Sequence, residues 1–133
     1  LATKNKKIPI YGDGKNIRDW IFVFDHCKAI WKILEKGRSG ESYNISANNE
    51  ISNIVIVKKI LELLHKPFTL IKFVKDRPGH DYRYSLNSSK LYKKTNWKPS
   101  VNFEKGLTHT INWYLTNHDW WNKLSSKKFG RIN

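Results

Sequence analysis

Apolar positions along this chain recur with two periods, one of two residues and one of three to four, and the alternation between them lays out the elements. Ile8-Pro9-Ile10-Tyr11 is a short extended segment, because Pro9 lacks a backbone donor and pushes its neighbour toward β geometry. Gly12-Asp13-Gly14-Lys15 is a turn, and Asn16 to Phe22 is a second extended piece. Asp25 stands where a helix N-cap belongs. Cys27, Ile30 and Leu34 follow at helical spacing, so the expectation is a helix that buries this face and ends at Gly37. Glu41 to Ile45 predicts a short strand. Ser52 is the expected cap of a second helix whose apolar face is Val55, Ile56, Ile60, Leu63 and Leu64, stopping before Pro67.

Leu70 to Val74 is an apolar, β-prone run that empties into a charged segment broken by Pro78-Gly79. Ser88 or Ser89 is the expected cap of a brief helix carrying Leu91 and Tyr92, stopped by Trp97-Lys98-Pro99. Asn102 caps the last helix, with Phe103, Leu107, Ile111, Tyr114 and Leu115 on one side. Trp120-Trp121 closes the ordered part. The expected division is a folded portion over residues 1–124 and a basic polar tail over 125–133. Helices alternate with short strands and no repeat interrupts them, so the fold class is α/β, with mixed helices and short strands.

Composition changes this picture in a few places. Six each of Trp, Tyr and Phe supply large rings to bury or to stack on a ligand. Lys and Arg number 25 against 11 Asp and Glu, a net charge of +14 that favours an anionic partner. The lysines are dispersed, with short clusters at Lys4 to Lys7, Lys58-Lys59, Lys93-Lys94 and Lys127-Lys128, whereas a nucleic-acid module concentrates them on one stripe. We therefore expect no nucleic-acid partner, and because no stretch of about 18 or more apolar residues occurs we expect no membrane one. The single cysteine, Cys27, excludes an internal disulfide framework and suits a reducing, cytoplasmic setting. The chain has no methionine, and Leu1 to Lys7 lacks the apolar core of a signal peptide, so a fragment or processed product is expected.

Candidate chemistry concentrates in Asp76-Arg77-Pro78-Gly79-His80-Asp81-Tyr82-Arg83-Tyr84. Arg77 and Arg83 each offer a planar fork of donors to a phosphate or a carboxylate. Pro78 fixes one backbone angle, and Gly79 admits a conformation or a close ligand approach that a side chain blocks. The same residues also suit a solvated turn held by salt bridges. Arg18 is either an ion-pair partner of Asp19 or of a neighbouring carboxylate, or a bidentate phosphate clamp. Asn53 either serves the cap of its helix or presents an amide to a ligand near the positive end of the helix dipole. His26, His65, His80, His109 and His118 lack a metal-ligand pattern such as His-Glu-x-x-His, so no metal is expected. No Gly-x-Gly-x-x-Gly follows a strand. Cys27 reads as a buried small residue, and His109 and His118 as surface or packing residues. From the residues alone this is a binding half-site for a phosphorylated ligand, without complete reaction machinery.

The order of Pro9-Ile10-Tyr11-Gly12-Asp13-Gly14, Asn16-Ile17-Arg18-Asp19-Trp20, Asp25-His26, Tyr43-Asn44-Ile45, Asn48-Asn49-Glu50 and Asn53 resembles the C-terminal region of the extended short-chain dehydrogenase/reductases that act on nucleotide sugars. The Asp76 to Tyr84 loop, with Gly106, Trp113-Tyr114-Leu115 and Trp120-Trp121, narrows the likeness to the dTDP-glucose 4,6-dehydratase family. The resemblance runs from Ile8 to Trp121 and covers well under half of a complete enzyme. It implies an NAD-dependent hydro-lyase that converts dTDP-glucose to dTDP-4-keto-6-deoxyglucose, a step toward dTDP-L-rhamnose, and a homodimer in the full-length form. It also implies that the glycine-rich cofactor loop, the Tyr-x-x-x-Lys pair and the acid/base carboxylates lie in an N-terminal Rossmann portion outside this chain, which alone is expected to be inactive. By the same resemblance Pro9, Ile10 and Tyr11 line the nucleotide pocket, Arg18 clamps the diphosphate, Asn53 binds the nucleotide-sugar, and Asp76, Arg77, Pro78, Gly79 and His80 contact substrate. Tyr82 and Tyr84 are expected to pack, and Tyr43-Asn44-Ile45 to join a Rossmann sheet. Ser46-Ala47 and Ser85-Leu86-Asn87 depart from the family pattern, the second implying a different cap for the helix that follows. The alternatives are another nucleotide-sugar epimerase, dehydratase or decarboxylase, and a non-catalytic basic binding fragment.

Overall fold

The computed structural model describes residues 1–126, and within them the sheet is small and divided. Strand β1 (Ile8–Tyr11) pairs in parallel with β4 (Ile71–Val74), from Ile8 opposite Ile71 to Tyr11 opposite Val74. A parallel pair needs a long crossover, and here everything between the two strands supplies it. Inside that crossover β2 (Ile17–Asp19) pairs antiparallel with β3 (Glu50–Ser52). The helices are α1 (Val23–Lys36), α2 (Asn53–Leu63), α3 (Ser89–Thr95), α4 (Phe103–Thr116) and α5 (His118–Ser126). This is the expected α/β arrangement.

Two apolar clusters hold the elements. Ala2, Leu61 and Leu70 are buried together, with Ile8, Val57, Ile60, Leu64 and Ile71 packed around them, and this cluster seats α2 against the β1–β4 pair. Ala29, Leu91 and Trp97 form the second, with Ile21, Ile33, Tyr43 and Ile45, and it seats α1 against α3.

Several sequence expectations change here. Asp25 is not the N-cap of α1. Phe22, with φ −69° and ψ 136°, occupies the extended cap position, and Asp25 lies in the first turn, 1% exposed. Its carboxylate accepts hydrogen bonds from Ser100 N (3.0 Å), Ser100 Oγ (2.7 Å) and Val101 N (2.9 Å), which ties α1 to the approach of α4. The face of α1 made by Cys27, Ile30 and Leu34 is also not the buried one. Cys27 is exposed, Ile30 is 43% and Leu34 74% exposed, while Ala29 is fully buried with Ile33 packed beside it. Apolar residues lie on both sides of this helix, so periodicity by itself chose the wrong face.

Glu41 to Ile45 is not a strand. The segment has no ladder partner among the described residues, and the strand of this region is Glu50–Ser52 instead. The extended stretch expected over Asn16 to Phe22 forms ladder bonds only over Ile17–Asp19. Ser52 does precede α2, but its side chain makes no cap. The carbonyls of Asn16 and Gly14 take the first amides instead, with Asn53 N to Asn16 O at 3.0 Å and Ile54 N to Gly14 O at 2.9 Å. Gly14 has φ +74°, and a Cβ there would lie 2.7 Å from Ile10 Cγ2 and 2.9 Å from Ile54 Cβ, so the turn packs against this helix end only with glycine. On α2, Leu61 is the fully buried residue, and Val55 and Leu63 are partly exposed. Ser88 stands at the N-cap of α3 as expected, but its side chain makes no cap bond, and Asn87 Oδ1 accepts from Ser89 N at 2.9 Å instead.

Asn102 caps α4 as expected, its Oδ1 accepting from Lys105 N at 2.9 Å. Gly106 and Ile111 are the buried positions of α4, whereas Tyr114 and Leu115 are about half exposed. The chain does not end its order at Trp121, since α5 continues through Ser126 after Asn117 Nδ2 donates to Trp113 O at 2.9 Å. Ser125 and Ser126 of the expected tail are therefore helical, and its remainder, 127–133, lies outside the described residues.

Candidate functional site

The expected site residues converge where β1 and β2 meet the loop after β4. Residues 82–84 run alongside β2 through Ile17 N to Tyr82 O (2.7 Å) and Tyr84 N to Ile17 O (3.1 Å). This brings the Asp76 to Tyr84 segment over Arg18, far from it in sequence. Asn16, 6% exposed, ties the floor together: its carbonyl accepts from Asn53 N and its Nδ2 donates to Asp81 O at 3.3 Å. Asn16 stood within the motif from the start, but only its burial between α2 and the loop gives it this role.

Arg18 does not pair with Asp19. Asp19 instead accepts from the amides of Ala47 (3.0 Å), Asn48 (3.3 Å) and Asn49 (2.9 Å), fixing the turn before β3. The Arg18 guanidinium donates through Nη1 to Ile17 O (2.6 Å) and Tyr82 O (3.5 Å), and through Nη2 to Asp81 O (2.9 Å) and His80 Nε2 (3.1 Å). It also lies 4.4 Å from the centre of the Tyr84 ring. Both terminal nitrogens are thus engaged by the loop, yet no carboxylate forms a salt bridge with Arg18 among the described residues. Its charge is oriented but not neutralised.

His80 sits between Arg18 and Asp76, with Nδ1 donating to Asp76 Oδ1 at 2.7 Å and its side chain 5% exposed. The Tyr11 ring meets it edge-on at 6.2 Å between centroids. The His80 hydrogen bond holds the Asp76 carboxyl below its ordinary range; partial burial opposes this, and the Arg77 amide and charge reinforce it. Gly12 makes room for Asp76, since a Cβ at Gly12 would lie 3.0 Å from Oδ2.

The two loop arginines separate. Arg83 spends its fork on Glu50, with Nε to Oε2 at 2.6 Å and Nη2 to Oε1 at 2.9 Å, and Ser85 Oγ donates to Oε1 at 2.6 Å. These partners, Arg83 first and then Ser85, pull the Glu50 carboxyl down to about 2. Arg77 is exposed, and its guanidinium makes no hydrogen bond or ion pair among the described residues. Pro78 and Gly79 are exposed, with Gly79 at φ +65° and open space where a Cβ would be. Pro9 and Tyr11 face outward from β1, but Ile10 is 4% exposed and belongs to the core, so it does not line an open surface. Asn53 is half-buried, and its side-chain amide is unengaged among the described residues. Tyr82 is exposed, and Tyr84 packs on Arg18 while its hydroxyl donates to Asp81 Oδ2, which raises the phenol above its ordinary range.

Chemically this is an anion-receiving surface. It offers one unengaged guanidinium, a second with no counter-charge, a free amide and an outward phenol ring. It lacks the parts for hydride chemistry. Tyr11 and Lys15 have the Tyr-x-x-x-Lys spacing, but they flank a turn, and Lys15 pairs with Asp13 at 2.9 Å. No glycine-rich cofactor loop is present, so these residues do not fit NAD. No cluster of His, Cys, Asp and Glu suits a metal ion among the described residues, and no helix among them is long and apolar enough to cross a membrane.

Comparison with known proteins places the chain in a family. The family model described as GDP-mannose 4,6 dehydratase matches residues 1–110. A dTDP-glucose 4,6-dehydratase of Xanthomonas campestris pv. campestris is 47% identical over 128 residues, covering 90% of this chain and 36% of that protein. Among solved structures, the dTDP-glucose 4,6-dehydratase of Bacillus anthracis in complex with NAD superposes with a TM-score of 0.84 at 48% identity, over 92% of this chain and 39% of the other. The Streptomyces venezuelae dTDP-glucose 4,6-dehydratase with NAD and TYD bound gives 0.87 at 38% identity, over 92% and 38%. The chain thus spans well under half the length of the relatives it matches. It belongs to the family that the GDP-mannose 4,6 dehydratase model describes, and within it resembles a part of the dTDP-glucose 4,6-dehydratases.

Proposed function

We propose that residues 1–124 form the substrate-binding portion of a dTDP-glucose 4,6-dehydratase and that their role is to hold dTDP-glucose. One observation carries this reading: the Arg18 charge lacks a carboxylate and lies under the loop that bears the unengaged Arg77. A nucleotide diphosphate supplies the missing negative charge, and Arg77 meets it with a whole fork of donors. Tyr11, Pro9 and the Asn53 amide offer an apolar wall and a polar partner to the nucleoside. Asp76, Gly79 and Pro78 shape the loop that covers it. In the complete enzyme NAD is the hydride carrier, held by residues other than these, and this chain alone turns nothing over. We read the complete enzyme as a cytoplasmic homodimer that feeds deoxysugar synthesis, with no nucleic-acid partner.

Calorimetric titration of the natural full-length protein with dTDP, NAD being present, tests the reading. Heat of binding is expected, with preference over UDP-sugars in competition. An absence of heat overturns the proposal, and a steeply salt-dependent affinity for DNA without preference for dTDP replaces it. Arg18→Ala is expected to weaken dTDP binding by roughly 2–5 kcal/mol, the range for removing one partner of a desolvated charge pair. A loss below about 0.5 kcal/mol would return Arg18 to an ordinary surface role.

A further inference from the structure

We propose that His80 is a positioning residue for Arg18: as the neutral Nδ1–H tautomer held by Asp76, it fixes where the guanidinium sits, and protonation of the ring releases that hold. The inference rests on the reading of Arg18 as a group that meets the diphosphate. It also refines the expectation that every residue from Asp76 to His80 touches substrate, because a side chain 5% exposed and closed at both ring nitrogens has little left to offer a ligand.

The tautomer follows from its neighbours. A guanidinium only donates and a carboxylate only accepts, so the ring accepts at Nε2 from Arg18 Nη2 (3.1 Å) and donates at Nδ1 to Asp76 Oδ1 (2.7 Å). Only the neutral Nδ1–H form satisfies both. The imidazolium turns Nε2 into a donor facing another donor and sets two cations side by side.

The surroundings decide which contact then fails. The titratable and charged groups facing the ring are Asp76 from its own loop, Arg18 from β2 and Tyr11 from β1; Asp81 and Tyr84 reach Arg18 rather than the ring. Asp76 is anchored independently, because its Oδ1 also accepts from Arg77 N at 2.9 Å and its carboxylate packs against Gly12. It attracts a protonated ring as well as a neutral one. Arg18 is held otherwise only by backbone carbonyls and the face of Tyr84, so Arg18 is the partner that lets go.

The test measures dTDP-glucose binding by calorimetry in the natural full-length protein with NAD present, because the diphosphate diester of that ligand keeps its charge across the interval in which histidines titrate. The unaltered protein is expected to bind more weakly in acid than near pH ~8. His80→Gln, whose amide oxygen accepts but does not titrate, is expected to lose that acid limb and to bind at least about threefold tighter than His80→Phe, which keeps a ring without an acceptor. The Arg18→Ala/His80→Phe double variant is expected to bind within about twofold of Arg18→Ala, since a residue acting through Arg18 has nothing left to do. An acid limb retained in His80→Gln overturns the proposal, as do Arg18→Ala and His80→Phe losses that multiply. If those losses multiply while Arg18→Ala is itself weak, the diphosphate reading survives and only the positioning role falls. If Arg18→Ala binds like the unaltered protein, both fall together. The pH comparison stands even where His80→Phe fails to fold.

Discussion

The β2–β3 corner and the outer face of α1 are near neighbours in sequence, yet they close their chemistry in opposite ways. At the corner three carboxylates find partners within the chain: Asp19 takes the amides of residues 47–49, Glu50 takes Arg83 and Ser85, and Asp76 takes His80. On α1, Val23, Phe24, Ile30, Trp31 and Leu34 stand between 43% and 74% exposed along one side. Among the described residues the nearby segment 41–45 has no ladder partner, and the buried Trp97 Nε1 has no acceptor. A contiguous apolar stripe of this kind normally meets another surface. The corner is organised by directional contacts that its own residues supply. The α1 face is organised only on its inner side, where Ala29 and Asp25 dock.

The sharpest way to break this comparison is Asp25→Ala. Removing the carboxylate strands the amides of Ser100 and Val101 and the Ser100 hydroxyl, so a loss of about 3–4 kcal/mol is expected in chemical denaturation. The same carboxylate sets a pH limit. Burial pushes it up, but the Ser100 hydroxyl and the amides of Val101 and Ser100 outweigh that and leave it below its ordinary value of 3.8. Because the folded value is depressed, its contribution is complete above the unfolded value and fades as pH falls through the folded one.

Next in size is Gly14→Ala, expected to cost about 3 kcal/mol from the left-handed backbone together with the clash against Ile10 and Ile54. Thermal melting reads it directly, and a melting point unchanged within a degree or so would mean that the turn does not seat α2. On α1, Ala29→Leu should cost about 2 kcal/mol by overpacking the second cluster. Leu34→Lys on the other side should change the stability of this chain by less than about 0.5 kcal/mol. If these two costs came out equal, the inner and outer faces would not differ as described.

The smallest effect is a titration. The Glu50 carboxyl, ordinarily at 4.5, is expected near 2 by NMR, so its pairing with Arg83 is complete above its ordinary value and is lost as pH falls toward 2. Arg83→Lys replaces a two-point fork with one point charge, so the Glu50 titration should move back toward 4.5.

Much of this was legible in the residues. The Gly12–Lys15 turn, the Asn102 cap and the Pro78-Gly79 break follow from local chemistry, because each depends on backbone angles and neighbours within a turn or two, whereas β1 and the start of α2 were legible in position but not in the distant groups that close them. The gathering of Arg18 and the Asp76 to Tyr84 loop was expected through resemblance, and the structure adds its mechanics: parallel bonding along Ile17 and a floor made by Asn16. Family resemblance names residues that share a ligand but not the hydrogen bonds that hold them.

What the sequence alone determined is therefore most of the helices, the strands at Ile8–Tyr11 and Ile71–Val74, and the polar vocabulary of the site. Tertiary structure decided which face of α1 is buried, that Asp25 serves the approach to α4 rather than its own helix, that Glu50–Ser52 and not Glu41–Ile45 forms the strand, and that Arg83 is spent while Arg77 stays free. The physical reason is common to all four. Each outcome depends on a partner tens of residues away, and local periodicity carries no record of which distant group arrives.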